Sequence, residues 1–162
     1  MKLNQIALAV AALAIGSSAH ATLGAGAAKD LVDAGNIIYL SGASATQSGL
    51  QGISTSLFQA GTVVRFANTT ASSRDFEAVG GKLAAAAGTW PAGTSVIIVD
   101  RVKGGSVFGV DPVARATKIE QLNVTVADCT GTVGDATTPI VCTTTGSTSP
   151  ETTGIVSDAG IS

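Results

Sequence analysis

Residues 95–116 read SVIIVDRVKGGSVFGVDPVARA, and the fold class turns on them. The first eight, residues 95–102, are β-branched and almost continuously apolar, as in a strand covered on both faces. Lys103-Gly104-Gly105-Ser106-Val107-Phe108-Gly109 then supplies a turn of mostly small residues. Asp111-Pro112, ahead of VARATKIEQL, pairs an N-cap residue with proline at the first helical position, which predicts a helix starting there.

Three further β-branched runs predict strands at residues 36–41, 62–66 and 122–127. Between them, residues 48–59 place Leu50, Ile53, Leu57 and Phe58 at helical spacing. Residues 75–87 carry Phe76, Val79, Leu83 and an Ala run, and are also expected to be helical, although Gly80-Gly81 weakens that pattern. Strands alternating with helices predict an α/β domain with a mainly parallel sheet flanked by helices. Residues 128–153 are rich in Thr, Gly and Ser, and are expected to form a surface insertion outside the core. The closing stretch GIVSDAGIS reads as a short strand entering a turn, so the chain reads as truncated, with Ile37, Val96 and Ile98 expected to lack neighbours.

The chain has 162 residues, enough for one domain with its own core and too few for two. Nine Lys+Arg against 11 Asp+Glu give a net charge of -2, which provides no basic field for nucleic acid. Charged residues make up 12% of the chain and hydrophobic ones 45%, too few charges and too much apolar content for charge-driven disorder.

Residues 1–21 carry the marks of a secretory signal: Lys2, an apolar run from Ile6 to Ile15, and Ser-Ala-His-Ala at 18–21 as an A-x-A cleavage site. The apolar run is shorter than the ~20 residues a membrane span needs, so no span is expected once the signal is cleaved. The chain is expected in the bacterial periplasm or outside the cell, beginning at Thr22. Cleavage removes His20, the one histidine, and Lys2, leaving eight Lys+Arg against 11 Asp+Glu. A chain without histidine cannot build a Ser-His-Asp or Cys-His mechanism, and two cysteines cannot close a Cys/His zinc site. No cofactor and no enzymatic activity are expected. In an oxidising compartment, Cys129 and Cys142 predict a structural disulfide, the alternative being two free thiols.

Three small-residue turns are candidate ligand sites. Ser41-Gly42-Ala43-Ser44-Ala45-Thr46-Gln47 follows the first strand, Lys103-Gly104-Gly105-Ser106 follows the third, and Ser157-Asp158-Ala159-Gly160 closes the last apolar run. In a parallel sheet all three would sit at the carboxyl edge, where α/β proteins bind ligands. Neither a Walker A string nor a G-x-S-x-G elbow is present. Each turn read alone is just as well a turn.

Taken together, GASAT after a strand, KGGS after a strand, and SDA resemble the first lobe of the periplasmic phosphate-binding proteins. These are solute-binding components of ABC transporters with a type II binding-protein fold. The stretches IYLSGASA (38–45), 84–116 and GIVSDAGIS (154–162) are similar to a divergent secreted branch of that superfamily. The resemblance spans residues 36–162, with a poor match at 62–90 and an insertion at 128–153. It implies inorganic phosphate or a similar oxyanion as ligand and an ABC-type membrane component as partner. The implied ligand residues are Thr46, Gln47 (where the family has an aromatic), Ser106 and Asp158. The Asp would accept a proton from bound phosphate and so favour phosphate over sulfate. A structural or surface-adhesion protein reusing this lobe is the alternative.

Overall fold

A computed structural model of the chain describes residues 23–43, 49, 52–53, 56–70, 75–131, 134, 138–146 and 148–161. Residues 1–21, expected to be a signal, and Thr46 and Gln47 lie outside the described residues. The centre of the fold is β4 (Ser95–Arg101), whose residues from Val96 onward are all buried. Its apolar run has no polar face, so it needs partners on both edges and cover on both sides. β3 (Phe76–Lys82) lies antiparallel along one edge, from Phe76↔Arg101 to Lys82↔Ser95. β1 (Ile37–Gly42) lies parallel along the other, from Ile37↔Ile97 to Ser41↔Arg101.

β2 (Val64–Ala67), β6 (Cys129–Thr130), β7 (Ile140–Cys142) and β9 (Ala159–Ile161) complete a seven-stranded α/β sheet among the described residues, in the order β6-β7-β2-β3-β4-β1-β9. The pairings β4–β1, β1–β9 and β7–β2 are parallel; β3 and β6 pair antiparallel with their neighbours. The sheet is therefore mixed, and its parallel run lies at the β4-β1-β9 end. β5 (Gln121–Leu122) and β8 (Thr144–Thr145) form a separate two-stranded piece. One face of the sheet packs Phe66, Phe76, Ile97 and Val99 against Leu31 and Leu122. The other packs Val79, Val96 and Ile98 against Phe58 and Leu83. Each such large side chain contributes about 1.5–3 kcal/mol by leaving water.

Helices flank the sheet. α1 (Ala27–Ala34) buries Ala28, Leu31 and Val32 and ends at Gly35, whose φ of 69° supplies the left-handed cap. α2 (Val107–Arg115) follows β4, and α3 (Pro150–Thr153) is a single turn. None of the described helices is long and apolar enough to cross a membrane. Of the helix predicted over 48–59, the described residues 49, 52–53 and 56–57 are helical. Phe58 closes that segment against the sheet at 2% exposure, whereas Ile53 is exposed.

Several expectations are corrected. Residues 76–82 form β3 and not a helix. Both faces of this strand are buried, which hides the alternation that marks a half-exposed strand. Its two glycines are where neighbours come closest: a Cβ on Gly80 would lie 2.9 Å from Ile97 and one on Gly81 2.8 Å from Phe58. Pro112 stands inside α2 and not at its start. The helix begins five residues before it, at Val107, because Gly104 and Gly105, at φ 90° and 71°, turn the chain early. Pro112 removes only the amide that would bond Phe108, one turn from the helix start. The strand expected at 122–127 shrinks to Gln121–Leu122. Asn123 and Thr125 instead take part in a turn in which the Thr125 hydroxyl bonds the Asp128 carboxylate at 2.5 Å.

The Thr/Gly-rich segment 128–153 is not a surface excursion. Cys129 and Cys142 are directly paired across β6 and β7, joined by a disulfide, and buried at 0% and 2% exposure. Ile140 on β7 is 1% exposed and extends the sheet beside β2. By shortening the loop available to the unfolded chain, the cross-link contributes about 2–3 kcal/mol. Val96 and Ile98 are buried and Ile37 half-buried, so the sheet is covered where neighbours were expected to be lacking.

α2 lies almost directly on β9. A Cβ on Gly109 would run into the Ile161 carbonyl, and one on Gly160 into the Gly109 carbonyl. Gly109→Ala is therefore expected to destabilise the fold by about 1–3 kcal/mol. Val110→Ala, on the exposed side of the same helix, should change stability by less than about 0.5 kcal/mol. Chemical denaturation of both variants measures the difference.

Candidate functional site

β1 and β4 are adjacent and parallel, yet the chain leaves them toward opposite faces of the sheet. After β1 it passes to the face carrying Leu57 and Phe58, which pack with Ile38, Leu40, Val96 and Ile98. After β4 it passes to the face of Arg101, because Phe108 of α2 lies over the Arg101 guanidinium at 4.4 Å and Gly109 sits on Gly160. Gly160, Ser41, Arg101 and Phe76 are in register across four strands and so share that face. Opposite departures from neighbouring parallel strands leave a crevice outside their carboxyl ends, the usual ligand position in open α/β sheets.

The turn Lys103–Ser106 stands between the carboxyl end of β4 and the start of α2. The Gly105 amide donates to the Val102 carbonyl at 3.3 Å, and Ser106 occupies the N-cap position of α2. Ser106 is exposed, and its hydroxyl makes no capping hydrogen bond. An exposed hydroxyl at a helix N-terminus is well suited to an anion, since the helix dipole favours negative charge there. Gly42-Ala43 ends β1, the Ala43 amide donating to the Ile161 carbonyl at 3.1 Å; Thr46 and Gln47, which follow, lie outside the described residues.

Asp158 is placed differently from the other candidates. The turn Ser157-Asp158 leads into β9 and does not follow a strand. The Asp158 carboxylate accepts the Tyr39 amide at 2.8 Å, and the Asp158 amide donates to the Tyr39 carbonyl at 2.7 Å. Tyr39 is three residues before the carboxyl end of β1, about 10 Å along the strand. Asp158 thus fastens the start of β9 to β1 through this pair of hydrogen bonds. Burial of the Tyr39 phenol and the nearby Asp158 charge raise its pKa above the usual tyrosine value.

Charged residues that the sequence reading did not single out hold the turn in place. Arg101, 4% exposed, donates from Nη1 to the Lys103 carbonyl and stacks between Phe108 and Phe76. Lys103 lies 2.6 Å from the Glu120 carboxylate, which also accepts the Thr144 hydroxyl at 2.9 Å. Their one sequence signal is Arg101 itself, a cation ending an otherwise apolar strand. Burial disfavours the charged Arg101, against the opposing pull of Glu120 and Asp75, and lowers its pKa. For Glu120, partial burial raises the pKa, but hydrogen bonds from Lys103 and Thr144 and the charges of Lys103 and Arg101 outweigh it. The carboxyl is held below its usual range. Among the described residues, no three His, Cys, Asp or Glu side chains are grouped to hold a metal ion.

Comparison with protein-family models, curated proteins and solved structures finds no match to this chain.

The Glu120 link carries a pH dependence of defined sign. A carboxyl with a depressed folded pKa contributes stability that is fully present above its unfolded pKa, near 4.5, and is lost as pH falls through the folded value. On acidification from about pH 6 to pH 3, the wild-type chain should lose more stability than Glu120→Gln. Urea melts across that range measure it; parallel acid limbs would show that the link does not contribute.

Proposed function

We propose that the chain is an exported solute-binding protein that holds phosphate or a similar small oxyanion at the carboxyl ends of β1 and β4, without chemical turnover. In this reading it hands its ligand to an ABC-type membrane component. The observation that carries the proposal is that two neighbouring parallel strands send their connections to opposite faces, with an uncapped Ser106 hydroxyl at the N-terminus of α2 after β4. Ser106, Thr46 and the Gln47 amide are the proposed ligand contacts. The resemblance of the GASAT and KGGS turns to the phosphate-binding proteins supports the same ligand class. Asp158 is assigned to fastening β9, so it is not the source of selectivity between phosphate and sulfate.

One observation favours the second reading, a structural or surface-adhesion protein: the acid of the SDA turn is engaged by the Tyr39 amide. Titration calorimetry on the exported chain separates the two. The solute-binding reading expects saturable phosphate binding, weakened at least about tenfold by Ser106→Ala, which corresponds to about 1.4 kcal/mol for a lost hydrogen bond to a charged ligand. It also expects Asp158→Asn to lower stability while leaving the phosphate-to-sulfate ratio unchanged. Absence of binding to either anion, with retention on purified cell surfaces, would favour adhesion.

A further inference from the structure

A second recess lies on the other flank of α2, between that helix and the segment carrying β5, β8 and α3. It is a cleft of about 380 Å³ lined by Arg101, Lys103, Phe108, Lys118, Ile119 and Pro150, among others. That volume falls in the range of small-molecule sites, as does the lining of apolar walls with a few polar groups. Its charge is one-sided. Three cations line it, and Glu120 is the one carboxylate among the described lining residues. Glu120 is bonded to Lys103 and Thr144 and, with Asp75, only partly offsets the charge of Arg101. Lys118 is exposed and has no ion-pair partner among the described residues.

Arg101 provides a second and independent sign of a ligand. The residue is 96% buried, and while Nη1 bonds the Lys103 carbonyl, the buried Nε–H has no acceptor among the described residues. A buried donor on a permanent charge without an acceptor is costly, and an unfilled ligand position is one of the few reasons a fold keeps one. The planar guanidinium, held over Phe108 at 4.4 Å, is pre-organised to receive an oxyanion.

We infer that this cleft binds a small organic anion, its carboxylate or phosphate head on Arg101 and Lys118 and its apolar body against Phe108, Ile119 and Pro150. The site is separate from the Ser106 crevice and uses none of its proposed ligand contacts. Benzoate and phenyl phosphate share the required chemistry, an oxyanion head on an aromatic body, and together they distinguish carboxylate from phosphate heads. Benzyl alcohol has the body without the charge.

The test is calorimetry and NMR shift mapping on the exported chain with these three probes. At least one of the two anions should bind saturably, shifting the resonances of Phe108 and Ile119, and benzyl alcohol should not. Lys118→Glu, at an exposed position with little bearing on folding, should weaken binding about tenfold or more. Arg101→Lys, which keeps the charge but removes the Nε donor, should weaken it further. Ser106→Ala should leave it unchanged, which separates this site from the proposed phosphate crevice. Equal binding of benzyl alcohol, indifference to both Lys118→Glu and Arg101→Lys, loss of binding in Ser106→Ala, or no saturable binding of either anion would overturn the inference.

Discussion

The structure depends on burying one strand on both faces. β4 is apolar at Val96, Ile97, Ile98 and Val99, so neither side of it can meet water. Two separate layers follow from this requirement. Alternate residues feed two cores, Ile97 and Val99 with α1, and Val96 and Ile98 with Phe58 and Leu83. The strand's hydrogen bonds are completed by β3 on one edge and β1 on the other. Where the apolar run stops, Asp100 and Arg101 remain buried, at 2% and 4% exposure. The change from apolar to charged residues at the carboxyl end places polar chemistry there and nowhere else along the strand.

The close approach of α2 to β9 turns this spine into a site. Gly109 and Gly160 let helix and strand backbones meet without an intervening side chain, and Gly42 does the same for β1 against Ile161. α2 is thereby held over β1 and β9, on the face opposite Phe58. The crevice beside Ser106 and the cationic cleft beside Arg101 lie on the two flanks of this one helix. Arg101 stacks on Phe108 and bonds the Lys103 carbonyl, so it holds both the turn and the wall of the cleft.

Much of this was legible in the residues, for identifiable reasons. β1, β2 and β4 show themselves as β-branched runs, and the cysteine pair follows from its even count in a chain expected to be exported. β3 was not legible as a strand, because its Phe76 and Val79, with Leu83 just after it, also fit a helical spacing and its glycines read as breakers. They are instead the points where Ile97 and Phe58 press against the backbone. α1 escaped notice, although Ala28, Leu31 and Val32 followed by Gly35 carry a helical face and its cap. The Thr-rich segment hid a sheet edge because only Ile140 and the two cysteines in it are core residues by composition. At the site, Ser106 was legible from the glycines before it. Asp158 was not, since a turn residue's hydrogen-bond partner 119 positions away leaves no local trace. Arg101 was visible only as a cation at the end of an apolar run, and its burial depends on Phe108 arriving from the next element.

The account rests most heavily on α2 and the Phe58 segment occupying opposite faces of the sheet. Nuclear Overhauser spectroscopy on the chain tests this directly. The α-protons of Gly109 should show cross-peaks to those of Gly160, and the Phe58 ring should show cross-peaks to the α-protons of Gly81. Cross-peaks from Gly109 to the Val79 or Ile98 side chains would place α2 on the same face as Phe58. That result would remove the crevice between β1 and β4.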